Sequence, residues 1–129
     1  MYSIGEIAKL TGITAFTLRY YEKAGVLPKP RRQDGQRSYD EQDLQYIRFI
    51  NGLKETGMSL ENIAAFTEDG CILTRNDSDM DNREILYKRI NMLDEHIGLL
   101  DEKIKRLEVV NAVALEKRAL YSVMLRERT

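Results

Sequence analysis

Between residues 86 and 107 the chain places a leucine or an isoleucine about every 3.5 residues. Ile90, Ile97, Ile104 and Asn111 take heptad position a, and Leu86, Leu93, Leu100 and Leu107 take position d. The seam is unbroken over about four heptads, or about 40 Å of helix at 1.5 Å per residue. So narrow a stripe on so long a helix cannot be buried by a small domain of its own chain. It demands a partner helix, and a second copy of the same chain is the economical choice. The flanks bear on direction. Position g holds Arg89, His96 and Lys103, and position e holds Asp94, Asp101 and Glu108. A parallel pair would set opposite signs against each other, whereas an antiparallel pair would set like against like. Charge pairing alone therefore favours parallel strands.

Upstream of the seam the periodicity is that of short capped helices. Ser3 and Glu6 form an S-x-x-E capping box ahead of Ile4, Ile7, Ala8 and Leu10. Gly12 ends this first helix, Thr14 caps a second, and Leu18 and Tyr21 are its inward residues. Gly25 stops the second helix, and Val26-Leu27-Pro28 leaves in extended form. Two helices joined by a tight turn containing glycine make a helix-turn-helix. Arg31 to Tyr39 has Asp34-Gly35 at its centre, a hairpin signal because the turn requires positive φ. Asp40 caps a third helix with Leu44, Ile47, Ile50 and Leu53 on one face, and Gly57 ends it. Ser59 opens a fourth with Leu60, Ile63 and Phe66 apolar. Residues 112–126 lose the heptad but keep Val113, Leu120, Val123, Met124 and Leu125, which predicts a further helix packed on something, such as a partner's head.

The fold class is therefore mainly α: a winged helix-turn-helix head over 1–66, a polar linker over 67–81, a dimerising coiled-coil helix over 82–111 and a C-terminal helical segment over 112–129. The chain's 129 residues allow one domain with an appendage but no large ligand-binding domain beside it. Net charge is only −1, yet residues 19–37 carry six basic side chains against two acidic ones, while 67–81 carries five acids and one arginine. A local basic surface is what nucleic acid requires, whatever the global balance. The single cysteine, Cys71, excludes an internal disulfide framework and a CxxC metal site. No apolar run approaches the roughly 20 residues of a membrane span, and the chain opens on a capped helix rather than a signal peptide. A cytoplasmic location is expected, with no membrane partner and no cofactor.

The second helix carries the candidate contacts. Arg19 and Tyr20 sit midway along it, where a guanidinium and a phenol can hold phosphates and set the helix in the major groove. The alternatives are an ion pair of Arg19 with Glu22 and a core tyrosine, with Tyr20 and Tyr21 able to exchange roles. Thr14, Phe16 and Thr17 lie at the N-terminal end, the part that reaches base edges; Thr can bond to several bases and Phe can touch a thymine methyl, while Thr14 can equally be a plain cap. Arg37 and Tyr39 occupy the second arm of the hairpin. A basic wing there would track the backbone beside the helix, and a solvated edge strand is the alternative.

Ser3-Ile4-Gly5-Glu6, Thr17-Leu18-Arg19-Tyr20-Tyr21-Glu22, Gly25-Val26-Leu27, Arg37-Ser38-Tyr39 and Gly57-Met58-Ser59 together resemble the head of the MerR family of bacterial transcriptional regulators, in order and spacing, over about residues 2–66. The resemblance is to a short form without a separate effector-binding domain. It implies a winged-helix head, an antiparallel coiled-coil dimer and binding to a pseudo-palindrome inside double-stranded promoter DNA. It also implies distortion of an over-long promoter spacer, so that RNA polymerase is engaged indirectly. Arg37 and Tyr39 are then expected on phosphates, and Lys54 matches a third-helix position the family uses to grip phosphate opposite the recognition-helix tyrosine. Family precedent sets the coiled coil antiparallel against the charge pattern. The precedent is preferred, because a buried seam outweighs exposed ion pairs of about a few tenths of a kcal/mol.

Cys71 is the candidate redox or effector residue. Metal binding would need more soft ligands than one Cys and one His, and no metal is expected. A thiol sensor needs only one cysteine of low pKa, which Asp69 would oppose and Arg75 favour; a half-buried structural cysteine is the third reading. The family's carbonyl-sensing branch carries its cysteine in the helix before Gly57, where this chain has Gly52. The small effector is not named by any residue here. Competing classes are a coiled-coil adaptor with a head that does not bind DNA, a simple repressor, and a thiol enzyme, for which no substrate pocket is evident. The chain is therefore expected not to be an enzyme.

Overall fold

The first helix begins where the sequence provides a reciprocal cap. In a computed structural model that describes residues 1–68 and 83–128, α1 runs Ile4–Thr11; the Glu6 amide donates to Ser3 Oγ and the Ser3 amide to the Glu6 carboxylate. Gly12, at φ 76°, turns the chain left-handed and donates its N–H to the Ala8 carbonyl, closing the helix. Two residues later Thr14 caps α2, Ala15–Lys23, by accepting the Thr17 amide at 3.1 Å. α1 and α2 pack as the helix-turn-helix.

The hairpin forms as the Asp-Gly pair requires. β1, Arg31–Gln33, pairs antiparallel with β2, Gln36–Ser38, and both turn residues have positive φ, 54° at Asp34 and 80° at Gly35. Asp40 caps α3, Glu41–Glu55, through a second reciprocal box with Asp43, and Ser59 caps α4, Leu60–Thr67. The inward face of α3 is Leu44, Ile47, Ile50 and Leu53, the four residues that its periodicity predicts. With Ile7, Ile13, Leu18, Tyr21, Val26, Leu27, Tyr39, Met58, Ile63 and Phe66 they form the core. Two long-range links, three hydrogen bonds in all, close the head. Tyr2 and Tyr39 exchange backbone hydrogen bonds, and the Thr67 hydroxyl donates to the Gly25 carbonyl at 2.6 Å, tying the end of α4 to the turn after α2.

The chain divides into two compact units, residues 1–90 and 91–129. The first holds the head and the opening turns of α5, where Arg89 lies 5.1 Å over the Phe66 ring and Lys88 pairs with Glu68. The second is the remainder of α5, which runs Arg83–Glu127. The segment beyond 111, expected as a further helix, continues α5 without a break. Past Gly98 the sequence contains no glycine or proline and is rich in Ala, Leu, Glu, Lys and Arg, so losing the heptad changes the apolar face and not the helicity. Ile90, Ile97, Ile104 and Leu107 of the seam are each at least half exposed. Cys71 and all but the first two residues of the expected linker lie outside the described residues. Among the described residues no helix is long and apolar enough to cross a membrane.

Two glycines should respond with opposite signs. At Gly12 a Cβ would meet nothing within 4 Å, so Gly12→Ala incurs only the left-handed backbone cost and should lower stability by about 1–2 kcal/mol. Gly52, inside α3 and equally open, should gain up to about 1 kcal/mol as alanine. Urea denaturation at one fixed chain concentration measures both.

Candidate nucleic-acid interface

Burial of Leu18 and Tyr21 fixes the rotation of α2 about its axis. The opposite face is then Phe16, Arg19, Tyr20 and Lys23, spaced three and four apart and all exposed, with Phe16 at 79% and Tyr20 at 52%. This settles which of the adjacent tyrosines is core: Tyr21 is buried and Tyr20 faces out. The ion pair considered for Arg19 with Glu22 does not form. Glu22 is taken by Arg37, and among the described residues Arg19 and Lys23 have no ion-pair partner. A row of exposed cations beside an exposed phenol and a bare phenyl ring suits a phosphate backbone and a groove floor.

Thr14 and Thr17 are bound to each other. Thr14 Oγ1 accepts the Thr17 amide and donates to the Thr17 hydroxyl at 2.9 Å, so Thr14 acts as the cap and the Thr17 hydroxyl keeps its own proton to donate outward. Lys54, in the last turn of α3, stands 5.5 Å over the Tyr21 ring. The neighbouring Tyr21 hydroxyl raises its pKa above the ordinary lysine value, so it stands as an exposed cation beside α2. Its tyrosine is thus the buried Tyr21, and the exposed Tyr20 is left to solvent.

The wing differs from expectation at its second arm. Tyr39 is only 7% exposed, because the backbone bridge to Tyr2 draws it into the core, and burial raises its phenol pKa. Arg37 points inward too: its Nε donates to Glu22 Oε2 at 2.7 Å, with side chains only 22% and 17% exposed. The outward cations of the wing are Arg31 and Arg32, on β1. Arg32 donates to the Gly35 carbonyl at 2.9 Å and stiffens the turn. Arg31 pairs with Asp40 and lies 3.6 Å from Asp43, which ties the wing to the cap of α3. The Asp43 amide, with Arg31, holds the Asp40 carboxyl below its ordinary pKa, while burial pushes Asp43 above it. Leu18, Glu22, Leu27, Tyr39 and Asp43 line a cavity of about 40 Å³ at this junction, room for little more than a water molecule. Sequence reasoning did not find Glu22 as a partner of the wing. Its only signal is an acid placed in the most basic stretch of the chain.

Among the described residues no group of three or more His, Cys, Asp or Glu side chains could hold a metal ion. Cys71, the candidate thiol, lies outside them.

The geometry has close counterparts. Residues 2–69 match the MerR HTH family of regulatory proteins. The uncharacterized HTH-type transcriptional regulator YyaN of Bacillus subtilis strain 168 is 43% identical over 131 residues, which span 98% of this chain and 95% of that protein. Among solved structures, HiNmlR, a MerR family regulator lacking the sensor domain and bound to promoter DNA, aligns with a TM-score of 0.72 and 30% identity over 94% of this chain and 90% of its own. A MerR family regulator from Bacillus thuringiensis aligns with a TM-score of 0.69 and 28% identity over 92% and 96% of the two chains. On the extent of these matches, the chain belongs to the MerR HTH family of regulatory proteins.

Proposed function

We propose that the chain is a sequence-specific, DNA-binding transcriptional regulator that works as a homodimer on promoter DNA. The observation that carries this is the outward face of α2: Phe16, Arg19, Tyr20 and Lys23 lie exposed on one side of a capped helix whose other side is locked in the core. Arg19, Tyr20 and Lys54 are assigned to phosphates, and Phe16 with Thr17 to base edges. Arg31 and Arg32 are the wing cations facing out. The likeness to HiNmlR, whose structure contains promoter DNA, supports the assignment.

The dimer is assigned to the α5 seam, Leu86, Ile90, Leu93, Ile97, Leu100, Ile104 and Leu107. Each apolar side chain fully buried there gains about 1.5–3 kcal/mol. We assign it the antiparallel sense of the family. The charge preference for parallel pairing counts Arg89, and that guanidinium lies over Phe66 instead. Two heads set on one face of the duplex suit a pseudo-palindrome, and regulation by distortion of the promoter spacer, in response to an effector, follows the family pattern. RNA polymerase is then an indirect partner.

A footprint on DNA upstream of the chain's own gene and its neighbours tests the mode of action. Protection centred between the two polymerase-recognition elements, with hyper-reactive bases at the dyad, is expected. Protection elsewhere would mean repression by blocking, and no protection at low salt would return the adaptor reading. With about three phosphates neutralised per head, the log–log salt dependence of the dimer should have a slope of about −5. Arg19→Ala should weaken binding to all sequences alike, by about 10-fold or more, as loss of a charged hydrogen bond implies; a changed sequence preference at unchanged affinity would refute its phosphate role. Tyr20→Phe should weaken binding by roughly 5-fold, while Tyr39→Phe, buried, should stay within about twofold. Ile97→Asp should give a monomer by sedimentation and abolish operator protection, since a charge at position a cannot be buried unpaired.

A further inference from the structure

A hairpin of two three-residue strands cannot hold its own place. This one is tied down at three points. Tyr39 bridges to Tyr2 at the start of the chain, Arg31 pairs with Asp40 and Asp43 at the start of α3, and Arg37 pairs with Glu22 on α2. The first two tether the wing to the scaffold. The third joins it to the helix that carries Arg19 and Tyr20, by a 2.7 Å charge-assisted bond between side chains largely withdrawn from water. Glu22 is also a charge of the wrong sign for its surroundings, since residues 19–37 otherwise hold six basic side chains and only one other acid. A carboxylate beside phosphates weakens binding by simple repulsion.

We propose that Glu22 is a positioning residue for DNA binding: it holds Arg37, and through Arg37 the wing, at a set distance from α2, so that wing and helix engage one duplex together. Arg37 is then a strut rather than a phosphate ligand. The proposal rests on the DNA-binding reading above and adds to it a role for an acid that touches no DNA. The two roles predict opposite signs. As a bystander, Glu22 should repel DNA, and its neutralisation should tighten binding everywhere. As a strut, its neutralisation should weaken binding at the operator alone.

The test uses the full chain with Glu22→Gln, Arg37→Gln, both together, and the exchange of Glu22→Arg with Arg37→Glu. Each is titrated on the footprinted operator and on a duplex of unrelated sequence over a range of salt, with thermal unfolding as the control for folding. The expected result is that Glu22→Gln and Arg37→Gln each weaken operator binding about 10-fold, a coupling typical of contacting charged residues. The double variant should be no weaker than either, the salt slope should be unchanged in Glu22→Gln, and the unrelated duplex should be bound as well or better. The exchange should recover most of the loss. The proposal is overturned if Glu22→Gln binds the operator as tightly as the original while Arg37→Gln loses affinity with a slope shallower by about 2, as when each head neutralises one phosphate fewer. Should the single variants fail to fold, the exchange decides: folded and bound supports the strut, folded and unbound overturns it. If the unaltered chain binds neither duplex at low salt, the DNA-binding reading falls and takes this proposal with it; binding by the unaltered chain with a tight Glu22→Gln removes this proposal alone.

Discussion

The head is organised around the burial of two side chains from one short helix. Leu18 and Tyr21 are the buried residues of α2, and they pack in a core shared with α1, α3 and α4. Once they are buried the helix cannot rotate, because turning it by one residue would carry about 100° of apolar surface into water and polar surface into the core. The outward stripe of Phe16, Arg19, Tyr20 and Lys23 follows from that restriction. So does the placement of Lys54 on Tyr21, and of Glu22 at the margin of the buried face, within reach of the wing. The proposed interface needs no special loop. It is the unburied side of a helix whose other side has no freedom.

The wing shows how little regular structure such a surface requires. Its strands are too short to be stable alone, and its position is set by a backbone bridge and two ionic contacts. Each leads to a different part of the head: Tyr2 before α1, the Asp40–Asp43 cap of α3, and Glu22 on α2. The Asp40–Asp43 box thus serves twice, satisfying the amides that begin α3 and anchoring Arg31. Burial raises the pKa of Asp43 while the cap lowers that of Asp40, so the two carboxyls differ although they share a partner.

α5 poses the opposite problem, apolar surface without a cover of its own. Leu86, Ile90, Ile97, Ile104 and Leu107 at a and d remain substantially exposed along a helix of about 68 Å, far more than isolated surface residues would present. In the proposed dimer this seam supplies most of the association energy, and the exposed charges beside it supply little. The direction of pairing is therefore not a matter of counting e and g charges, the more so because Arg89 is diverted to an aromatic ring of the head.

The sequence by itself determined the capped starts of α1 to α4, the inward face of α3, the Asp34-Gly35 turn and the heptad spacing of apolar residues in α5, while the C-terminal end of α5 lies beyond the point where that spacing stops. Each is local: a cap reaches three residues, a helical face repeats every three or four, and a turn needs positive φ at two neighbouring positions. Tertiary structure alone decided who pairs with whom. Glu22 is three residues from Arg19 and 15 from Arg37, and only the folded hairpin brings the second closer than the first. Tyr39 reads as an exposed wing residue until Tyr2, far away in sequence, draws it inward, and Thr67 reads as the first residue of a linker until its hydroxyl finds the carbonyl of Gly25. Local periodicity reports which side of an element is apolar; it carries no information about which charge on another element will lie across from it, because that depends on how the elements pack.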